Sequence, residues 1–299
     1  MNSPRPVLAQ QILWEDLSGI HLRQLIQLAK EEDLPPGKKD VTTETFPSEK
    51  QEAVASLVAR EDLIVSGLKL IPLILEVYEA EVTFRESLKD GDLATSGSLI
   101  GQFSGDPVAL LTAERIILNF LQHLSGVSTL TKKFVRAMGQ TSTRLLDTRK
   151  TTPGYRLLEK YAVTCGGGWN HRLGLYDRVL IKDNHLHAFK AQDGEPLQLA
   201  LKTARNKNSD LPIQVEVDHL SQLHNALKAN PDCILLDNFS PNKIIKALAI
   251  IDGECASEAS GGITLDSLPE YSKLGLDFIS TGATVHQSQW VDIGLDWED

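Results

Sequence analysis

Residues 145–185 read LLDTRKTTPGYRLLEKYAVTCGGGWNHRLGLYDRVLIKDNH, and this stretch decides the fold class. Two short apolar runs, Leu145-Leu146 and Val179-Leu180-Ile181, lie on either side of a helical pattern that begins near Tyr155. Apolar runs in this arrangement, with no hairpin signal between them, are typical of parallel strands joined by a crossover helix. We therefore predict a parallel α/β unit here.

Basic side chains follow both apolar runs. Five of the basic or histidine side chains in this stretch are candidates for one site, on a chain whose formal net charge is -10; they are Arg149, Lys150, His171, Arg172 and Lys182. Cations concentrated against the global charge balance predict a pocket for a small polyanion. An acidic chain of this kind is not expected to bind nucleic acid, because such binding needs a basic surface.

The composition indicates a globular protein. At 299 residues, with 41% hydrophobic and 23% charged residues, the chain can form one large domain or two ordinary ones. Its three cysteines form no Cys-x-x-Cys pair, and the N-terminus lacks a secretory apolar segment. We therefore expect the protein to be in the reducing cytoplasm. The longest apolar run, around residues 68–77, is too short to cross a bilayer and contains Pro72, so no membrane association is expected.

The first third of the chain does not alternate strands and helices regularly. Its predicted elements include a helix at residues 10–31, strands at 53–59 and 62–66, and a helix from Gly67 that tolerates Pro72 only in its first turn. Residues up to about 107 are therefore expected to form a separate α+β domain. A long helix, broken near Gly126, should follow at residues 107–138.

Regular alternation begins after Gln140. Six strand-like runs separated by helical patterns lie at residues 144–147, 178–181, 213–217, 233–236, 255–259 and 278–280. Polar, charged or glycine residues stand at their C-terminal ends: Arg149 and Lys150, Lys182, Glu216, Asp237-Asn238, Glu258 to Gly262, and Ser280 to Gly282. An α/β barrel places its active site at all such ends, whereas an open doubly wound sheet uses chiefly one switch point. The even distribution favours a barrel with fewer than eight strands.

The residues at these ends predict a chemistry. Arginine binds phosphate and carboxylate groups through paired hydrogen bonds, and lysine acts as a point charge. Glu216 and Asp237 suit Mg²⁺, which binds one or two carboxylates together with phosphates and water. The same two carboxylates could equally face a positive charge that develops on a sugar ring. The turns at Ser260-Gly261-Gly262 and Gly282 permit close backbone approach, and with a helix predicted from Leu265 they indicate a phosphate site.

Simpler interpretations stay open for single residues. Glu216 could equally be a residue at the barrel mouth that pairs with a lysine. Asp237 could be the N-cap of the helix that follows its strand. His185-x-His187 resembles a metal pair without a third ligand, so surface histidines are the better interpretation. Cys165 has no base partner and indicates a packed helix end. Arg115 lies among apolar neighbours and is typical of a solvated or snorkelling side chain.

Three motifs of the opening stretch resemble a known family. They are Asp147-Thr148-Arg149-Lys150-Thr151-Thr152-Pro153-Gly154, Cys165-Gly166-Gly167-Gly168-x-Asn170-His171-Arg172, and Leu180-Ile181-Lys182-Asp183-Asn184-His185. Further matches follow in the family's order: Val215-Glu216-Val217, Leu236-Asp237-Asn238, Glu258-Ala259-Ser260-Gly261-Gly262-Ile263, Gly282 and His286. Over nearly its whole length the chain is similar to the quinolinate phosphoribosyltransferases, also called carboxylating nicotinate-nucleotide pyrophosphorylases.

The resemblance implies a type II phosphoribosyltransferase-like α/β fold, with an N-terminal α/β sandwich domain and an incomplete α/β barrel. The implied sandwich domain covers residues 1–116, with residues 283–299 packing back on it, and the implied barrel covers residues 117–282. A homodimer or higher homo-oligomer with active sites shared between subunits is implied as well.

The implied enzyme is a pentosyl-transferring glycosyltransferase of NAD biosynthesis. It converts quinolinate and phosphoribosyl pyrophosphate into nicotinate mononucleotide, CO₂ and pyrophosphate, with Mg²⁺ as cofactor. The implied substrate-binding residues are Arg115, Arg149, Lys150, His171, Arg172, Lys182, Glu216, Asp237, Ser260, Gly261, Gly282 and His286. Lys150, Glu216 and Asp237 are implied as catalytic, and the two carboxylates also as metal ligands.

Individual roles come from the same resemblance. The two quinolinate carboxylates are assigned to Arg149, His171, Arg172 and Lys182, the pyrophosphate to Lys150, and the 5′-phosphate to Ser260, Gly261 and Gly282. Arg115 matches an arginine that enters the neighbouring subunit's site, and this implication replaces the solvated interpretation given above.

Departures from the family pattern are small. Lys39-Asp40-Val41-Thr42 stands where Gly-Asp-Val-Thr is frequent, and Tyr155 where leucine is common. Two alternatives are a relative of the same fold linked with molybdate transport and a non-catalytic regulator on a retained barrel. The intact motif at residues 182–185 argues against the first, and the complete set of anion-binding residues argues against the second.

Overall fold

A computed structural model of the chain describes residues 8–46, 52–188 and 195–298. Residues 1–7, 47–51 and 299 of the predicted sandwich domain, and residues 189–194 of the predicted barrel, lie outside the described residues. Two compact units result. The sandwich unit comprises Ile12–Lys132, Thr152–Gly167 and Thr284–Asp299, and the barrel unit comprises Met1–Gln11, Lys133–Thr151 and Gly168–Ala283. The boundary between residues 116 and 117 stays a prediction.

Ten α-helices and twelve strands lie in the described residues. The helices are α1 Gly19–Asp33, α2 Ile71–Val77, α3 Pro107–Met138, α4 Arg156–Cys165, α5 Asp183–Ala188, α6 Glu195–Lys207, α7 Leu223–Lys228, α8 Pro241–Ile251, α9 Leu268–Tyr271 and α10 Ala283–His286. The strands are β1 Ala53–Ala59, β2 Leu63–Ile64, β3 Val82–Glu86, β4 Leu93–Ala94, β5 Leu99–Gly105, β6 Arg144–Leu146, β7 Val179–Ile181, β8 Ile213–Val217, β9 Cys233–Asp237, β10 Ala256–Ser260, β11 Phe278–Ser280 and β12 Ile293–Trp297.

Four antiparallel strands form the main sheet of the sandwich unit, in the order β12-β1-β5-β3. In β1, Ala55, Leu57 and Ala59 are fully buried and the residues between them are partly exposed. Such alternation is what a strand with one face on a hydrophobic core requires. β12 pairs with β1, with Leu295 opposite Leu57, so residues near the C-terminus form one edge of this sheet.

Six parallel strands form the sheet of the barrel unit, in the order β6-β11-β10-β9-β8-β7. From β7 to β11 each strand lies beside the next strand in the chain, and the first strand, β6, lies beside the last. This cyclic order is that of a barrel, since a doubly wound sheet reverses direction at a switch point. Within the described residues no pairing joins β6 to β7. The prediction of an incomplete barrel is therefore confirmed.

Residues near the N-terminus pack at the N-terminal ends of these strands. Leu8 and Ala9 contact Cys233, Ala256 and Phe278, which are the first residues of β9, β10 and β11. Gln10 forms a bridge with Asn170. Apolar side chains thus cover one end of the sheet, and the polar strand ends predicted from the sequence lie at the other.

The long helix differs from the prediction. α3 runs unbroken through Gly126, so the predicted break is wrong. A Cβ atom at this position would lie 2.1 Å from the backbone oxygen of Gln289, and no side chain fits there. The glycine therefore permits a close approach of two segments and does not interrupt the helix.

Other local predictions are accurate or shifted by a few residues. The six predicted strands of the barrel agree with β6 to β11 within two residues at each end. Pro72 lies in the first turn of α2, as predicted. The helix predicted at residues 10–31 begins only at Gly19, where Ser18 is the N-cap. Among the described helices, none combines the length and apolar sequence needed to cross a membrane.

Candidate active site

A cavity of about 600 Å³ opens at the C-terminal strand ends of the barrel unit. Its lining comes from the six strands, the loops that follow them and the segment between α4 and β7: Thr148, Arg149, Lys150, His171, Arg172, Leu180, Lys182, Glu216, Leu235, Asp237, Asn238, Glu258, Ser260, Gly261, Gly262 and Ser280. Nine of the predicted site residues are in this lining: Arg149, Lys150, His171, Arg172, Lys182, Glu216, Asp237, Ser260 and Gly261. The volume is typical of a small-molecule site.

Cations are concentrated on one side of the cavity. Burial, followed by repulsion from Arg149 and Arg178, lowers the pKa of Arg172. The Nε of Arg149 is buried and has no hydrogen-bond partner among the described residues. Guanidinium groups held close together repel one another, and a bound anion relieves this repulsion. This side of the cavity is therefore suited to a ligand with more than one negative charge.

The loop that holds His171 and Arg172 is fixed by a buried carboxylate. Asp147, directly after β6, accepts hydrogen bonds from the backbone N–H of His171 and from the side-chain amide of Asn170, both at 2.8 Å. Asp147 is fully buried. Because an unmade bond to a buried carboxylate is costly, this arrangement ties the 170–172 loop to the end of β6.

Lys182 and Glu216 form an ion pair in the cavity lining. The Nζ of Lys182 lies 2.6 Å from Oε2 of Glu216, which is mostly buried. The lysine partner that simple reasoning allowed for Glu216 is thus present, but the pair belongs to the cavity. His185 is exposed and its Nδ1 accepts the backbone N–H of Lys182. The side chain of His187 lies outside the described residues.

Asp237 and Gly261 lie on adjacent strand ends. Oδ2 of Asp237 accepts a hydrogen bond from the Asn238 side chain at 2.8 Å. Asp237 is not the N-cap of α8, since Ser240 holds that position. Gly261 has φ of +91°, and a Cβ there would lie 2.2 Å from Oδ1 of Asn238. The close approach at Gly261 is therefore to the Asn238 side chain, and close approach of a phosphate stays a prediction. The helix predicted from Leu265 begins only at Leu268 and has four residues.

Three buried residues at or below the cavity were not predicted as site residues, although Glu258 was named among the strand-end residues; they are Arg178, Gln214 and Glu258. Glu258 lines the cavity, and Gln214 lies one step below Glu216 on β8. Period-two alternation puts Glu258 on the same face as Ser260 and Gln214 on the same face as Glu216. For Glu258 and Gln214 that signal was available from the sequence, because each lies two positions before a predicted site residue. Arg178 lies two positions before Leu180, which was not a predicted site residue, and had no such signal.

Glu258 is ionised in this setting. Desolvation raises the pKa of its carboxyl, but the charge of His171, hydrogen bonds from His171 and Ser280, and the charge of Arg178 together lower the pKa to about 2. A fully buried carboxylate held in this way carries a permanent negative charge at neutral pH.

The remaining predicted residues are not in the cavity lining. Arg115 and His286 belong to the sandwich unit and are exposed. Gly282 is buried in the barrel unit, two residues after β11. Cys165 is the last residue of α4, and burial raises the pKa of its thiol to about 11. It is a packed helix end, as predicted.

The donor set fits Mg²⁺. Glu216 and Asp237 both line the cavity, and carboxylate oxygens are ligands that Mg²⁺ prefers. In the described residues no group of three or more His, Cys, Asp or Glu side chains is arranged to hold a metal. Mg²⁺ commonly uses few protein ligands and completes its shell with substrate phosphates and water. The two carboxylates are thus compatible with an ion bound together with a phosphorylated substrate.

Two family models cover most of the chain. The quinolinate phosphoribosyl transferase N-terminal domain matches residues 40–125, and the C-terminal domain of the same family matches residues 127–296. The chain belongs to the quinolinate phosphoribosyl transferase family. The resemblance noted from the sequence motifs is therefore confirmed.

Curated relatives and solved structures agree with this membership. The chain is 37% identical to a probable nicotinate-nucleotide pyrophosphorylase [carboxylating] of Bacillus subtilis, over 94% of both chains. It is 39% identical to the nicotinate-nucleotide pyrophosphorylase [carboxylating] of Mycobacterium leprae, over 92% of this chain and 96% of that one. The structure of the nicotinate-nucleotide pyrophosphorylase from Francisella tularensis is similar at a TM-score of 0.88 and 34% identity, covering 97% of this chain and 100% of that one.

Proposed function

We propose that the cavity binds quinolinate and phosphoribosyl pyrophosphate side by side. The protein is a quinolinate phosphoribosyltransferase, a pentosyltransferase of NAD biosynthesis, and it converts these two substrates into nicotinate mononucleotide, CO₂ and pyrophosphate. The observation that supports the location of the reaction is the crowding of Arg149, Arg172 and Lys182 in one cavity of an acidic chain. Quinolinate carries two carboxylates, and each guanidinium can bind one of them through paired hydrogen bonds.

Quinolinate is assigned to the basic side of the cavity. Arg149 and Arg172 each offer a guanidinium for a carboxylate, and Lys182 offers a point charge once a substrate oxygen replaces Glu216. The unpartnered Nε of Arg149 supports this orientation. His171 completes this side of the cavity, and Arg115 of a neighbouring copy is proposed to reach the same substrate.

Phosphoribosyl pyrophosphate is assigned to the opposite strand ends. Ser260 and Gly261, with Gly282 after the last strand of the barrel, are proposed to bind the 5′-phosphate. The position of Ser260 and Gly261 in the cavity lining supports this assignment. His286 is proposed as a substrate-binding residue without a more specific role. Lys150 is exposed at the cavity rim and is proposed to bind the pyrophosphate.

The reaction needs charge stabilisation at two places. Departure of pyrophosphate leaves an oxocarbenium-like ribose, which the carboxylates of Glu216 and Asp237 are placed to stabilise. Mg²⁺ bound at these carboxylates would neutralise charge on the leaving pyrophosphate, together with Lys150. The pyridine nitrogen of quinolinate then bonds to the ribose carbon, and the ring becomes cationic. Loss of the adjacent carboxylate as CO₂ leaves its electron pair on the ring carbon, where the neighbouring cationic nitrogen stabilises it until that carbon takes up a proton from water.

A homodimer or higher homo-oligomer is part of the proposal. Val108, Leu111 and Arg115 lie at i, i+3 and i+7 on one face of α3, and all three are exposed. An apolar pair beside an arginine is typical of a surface that a second copy covers. We also place the enzyme in the cytoplasm, on the basis of its three cysteines without a disulfide.

The test is an assay of the purified protein with Mg²⁺ and phosphoribosyl pyrophosphate, with quinolinate and nicotinate offered separately. We expect pyrophosphate and labelled CO₂ in equal amounts from quinolinate, and no turnover of nicotinate, because one carboxylate-binding group would then lack its partner. Omission of Mg²⁺ should abolish turnover. Equal use of nicotinate would refute the assignment of the basic side.

A further inference from the structure

A short segment of the barrel unit, residues 8–11, is held at the N-terminal ends of the parallel strands. Its first two side chains, Leu8 and Ala9, are only 9% and 6% exposed. They belong to one apolar cluster with the first residues of β9, β10 and β11. Burial of these side chains keeps the segment in place. We call residues 8–11 the N-terminal strap.

A second segment, residues 168–170, lies along the free edge of β6. The backbone N–H of Trp169 donates to the carbonyl oxygen of Leu145 at 2.8 Å, and the N–H of Asp147 donates to that of Trp169 at 3.0 Å. Leu146, between these two residues, pairs with β11 on the other edge. Successive residues of a strand present their backbone groups to opposite edges, so residues 168–170 extend the sheet beyond β6.

The N-terminal strap pairs with the far side of residues 168–170. The backbone N–H of Asn170 donates to the carbonyl oxygen of Gln10 at 2.7 Å, and the N–H of Gln10 donates back at 3.4 Å. Nε2 of Gln11 donates to the carbonyl oxygen of Gly168 at 3.0 Å. Asn170 is fully buried. Because buried backbone groups without partners are costly, the strap stabilises this position of Asn170.

The N-terminal strap also reaches the other end of the six-stranded sheet. The carbonyl oxygen of Leu8 accepts a hydrogen bond from Nη2 of Arg178, a buried residue directly before β7. Hydrogen bonds thus join β6, residues 168–170, the strap and the start of β7, in that order. Since β6 and β7 are the two end strands of the sheet, the strap spans the side that the sheet leaves open.

Two supports therefore hold the loop that carries His171 and Arg172. On one side, Asp147 accepts hydrogen bonds from the Asn170 side chain and the His171 backbone, as described above. On the other side, the strap holds the main chain of Asn170. His171 and Arg172 follow Asn170 directly in the chain, so a shift of Asn170 moves both side chains.

We propose that the N-terminal strap is a positioning element of the quinolinate site, which keeps Asn170 in register with β6 and thereby places His171 and Arg172 at the cavity. The inference rests on the proposed function, in which these two residues bind quinolinate. The strap precedes both stretches that the family models match, residues 40–125 and 127–296. This support of the site is therefore not part of either matched domain.

The first test is Ala9→Lys in the full chain. A buried ammonium is costly, and Arg178 is bonded to the neighbouring Leu8, so the strap should leave the barrel unit. An added positive charge would attract an anionic substrate, so weaker binding would report displacement and not charge. We expect KM for quinolinate to rise about tenfold, and KM for phosphoribosyl pyrophosphate to change less than about twofold.

Leu13→Lys is the matched control for this variant. It adds the same side chain and the same charge four residues later, at a position that is 56% exposed. We expect neither KM to change.

A milder pair of variants covers the case in which Ala9→Lys does not fold. Gln11→Ala removes the bond to Gly168 and should raise KM for quinolinate about threefold, as the loss of one neutral hydrogen bond would. Gln122→Ala removes an equivalent bond in the sandwich unit, from Nε2 of Gln122 to the carbonyl oxygen of Ile293 at 2.9 Å. Both variants should lower the melting temperature, and Gln122→Ala should leave KM for quinolinate unchanged.

Hydrogen exchange tests the strap without turnover. The amide of Asn170 is buried and donates to Gln10, so it should exchange slowly in the wild-type protein. We expect faster exchange in Ala9→Lys and not in Leu13→Lys, measured by NMR or by mass spectrometry of peptides that contain residues 168–172.

Unchanged exchange in Ala9→Lys overturns the proposal, and so does an unchanged KM for quinolinate in both Ala9→Lys and Gln11→Ala. If the wild-type protein does not turn over quinolinate at all, the proposed function fails. The exchange result then still decides whether the strap holds Asn170.

Discussion

The ion pair between Lys182 and Glu216 places two groups with different predicted roles at 2.6 Å from each other. We expect Lys182→Met to raise KM for quinolinate roughly 10- to 100-fold, as the loss of one charge-assisted hydrogen bond would. Steady-state kinetics with each substrate varied in turn would measure this effect. Lys246→Met is a suitable control, because Lys246 is exposed on α8 and away from the cavity lining. An unaltered KM in Lys182→Met would remove the lysine from the quinolinate site.

The lowered pKa of Glu258 predicts that the free energy of unfolding depends on pH. The pKa of Glu258 is about 2 in the folded protein, below the ordinary value of about 4.3. The ionised carboxylate therefore contributes its full stabilisation above about pH 4.3, and this contribution disappears as the pH falls toward 2. Glu258→Gln should therefore be less stable than the wild type near neutral pH, with the difference shrinking by roughly 3 kcal/mol on acidification. Urea unfolding of both proteins at several pH values between 6 and 2 measures the difference. A constant difference over this range would mean that the carboxylate is not ionised in the fold.

Among the elements, the turn after β10 depends on a glycine for two separate reasons. Gly261 has a positive φ, and a Cβ would also collide with Asn238. Gly253 has a positive φ of +72°, but a Cβ added there would meet no atom within 4 Å, so Gly253→Ala reports backbone strain alone. We expect Gly253→Ala to cost about 1 kcal/mol, and Gly261→Ala to cost more and to raise KM for phosphoribosyl pyrophosphate. Equal melting temperatures and unchanged kinetics in both variants would contradict this account.

In helix α3, the surroundings of Gly126 predict a change in stability opposite to the one that helix propensity predicts. Alanine is favoured over glycine in a helix by about 1 kcal/mol, so propensity alone predicts that Gly126→Ala is stabilising. A Cβ at residue 126 would lie 2.1 Å from the backbone oxygen of Gln289, so the two segments would have to separate. This contact predicts that Gly126→Ala is destabilising. We expect a lower melting temperature in thermal unfolding. Lys133→Ala, exposed on the same helix, should change stability by no more than about 0.5 kcal/mol.

For the whole molecule, the shared site predicts complementation between two inactive chains. If Arg115 acts in the partner's site and Arg172 in its own, Arg115→Ala and Arg172→Ala should each lose quinolinate binding. A mixed dimer then contains one site with both substitutions and one with neither. Random exchange should restore about a quarter of the wild-type activity, since half of the dimers are mixed and half of their sites are intact. Mass spectrometry would verify that mixed dimers form, and their inactivity would refute the shared site.

The positions of the barrel strands and of most cavity residues were predictable from the sequence. Short apolar runs that end in Arg149, Lys182, Glu216 and Asp237 form parallel strands, and parallel strands bring their C-terminal ends to one edge of the sheet. This rule needs no knowledge of which strands are neighbours. For the same reason the sequence was sufficient to place Arg149, Lys150, Lys182, Glu216 and Asp237 in one cavity.

Only the tertiary structure decided the contacts between those residues. The pairing of Lys182 with Glu216 depends on β7 lying beside β8, and the cluster of His171, Arg178, Gln214 and Glu258 depends on the register of three strands and a loop. Gly126 shows the same limit, because its role is set by Gln289, far away in the chain. Side-chain period and apolar runs are local properties and can be read along the chain. Distances between side chains of different elements depend on how those elements pack, which no local pattern contains.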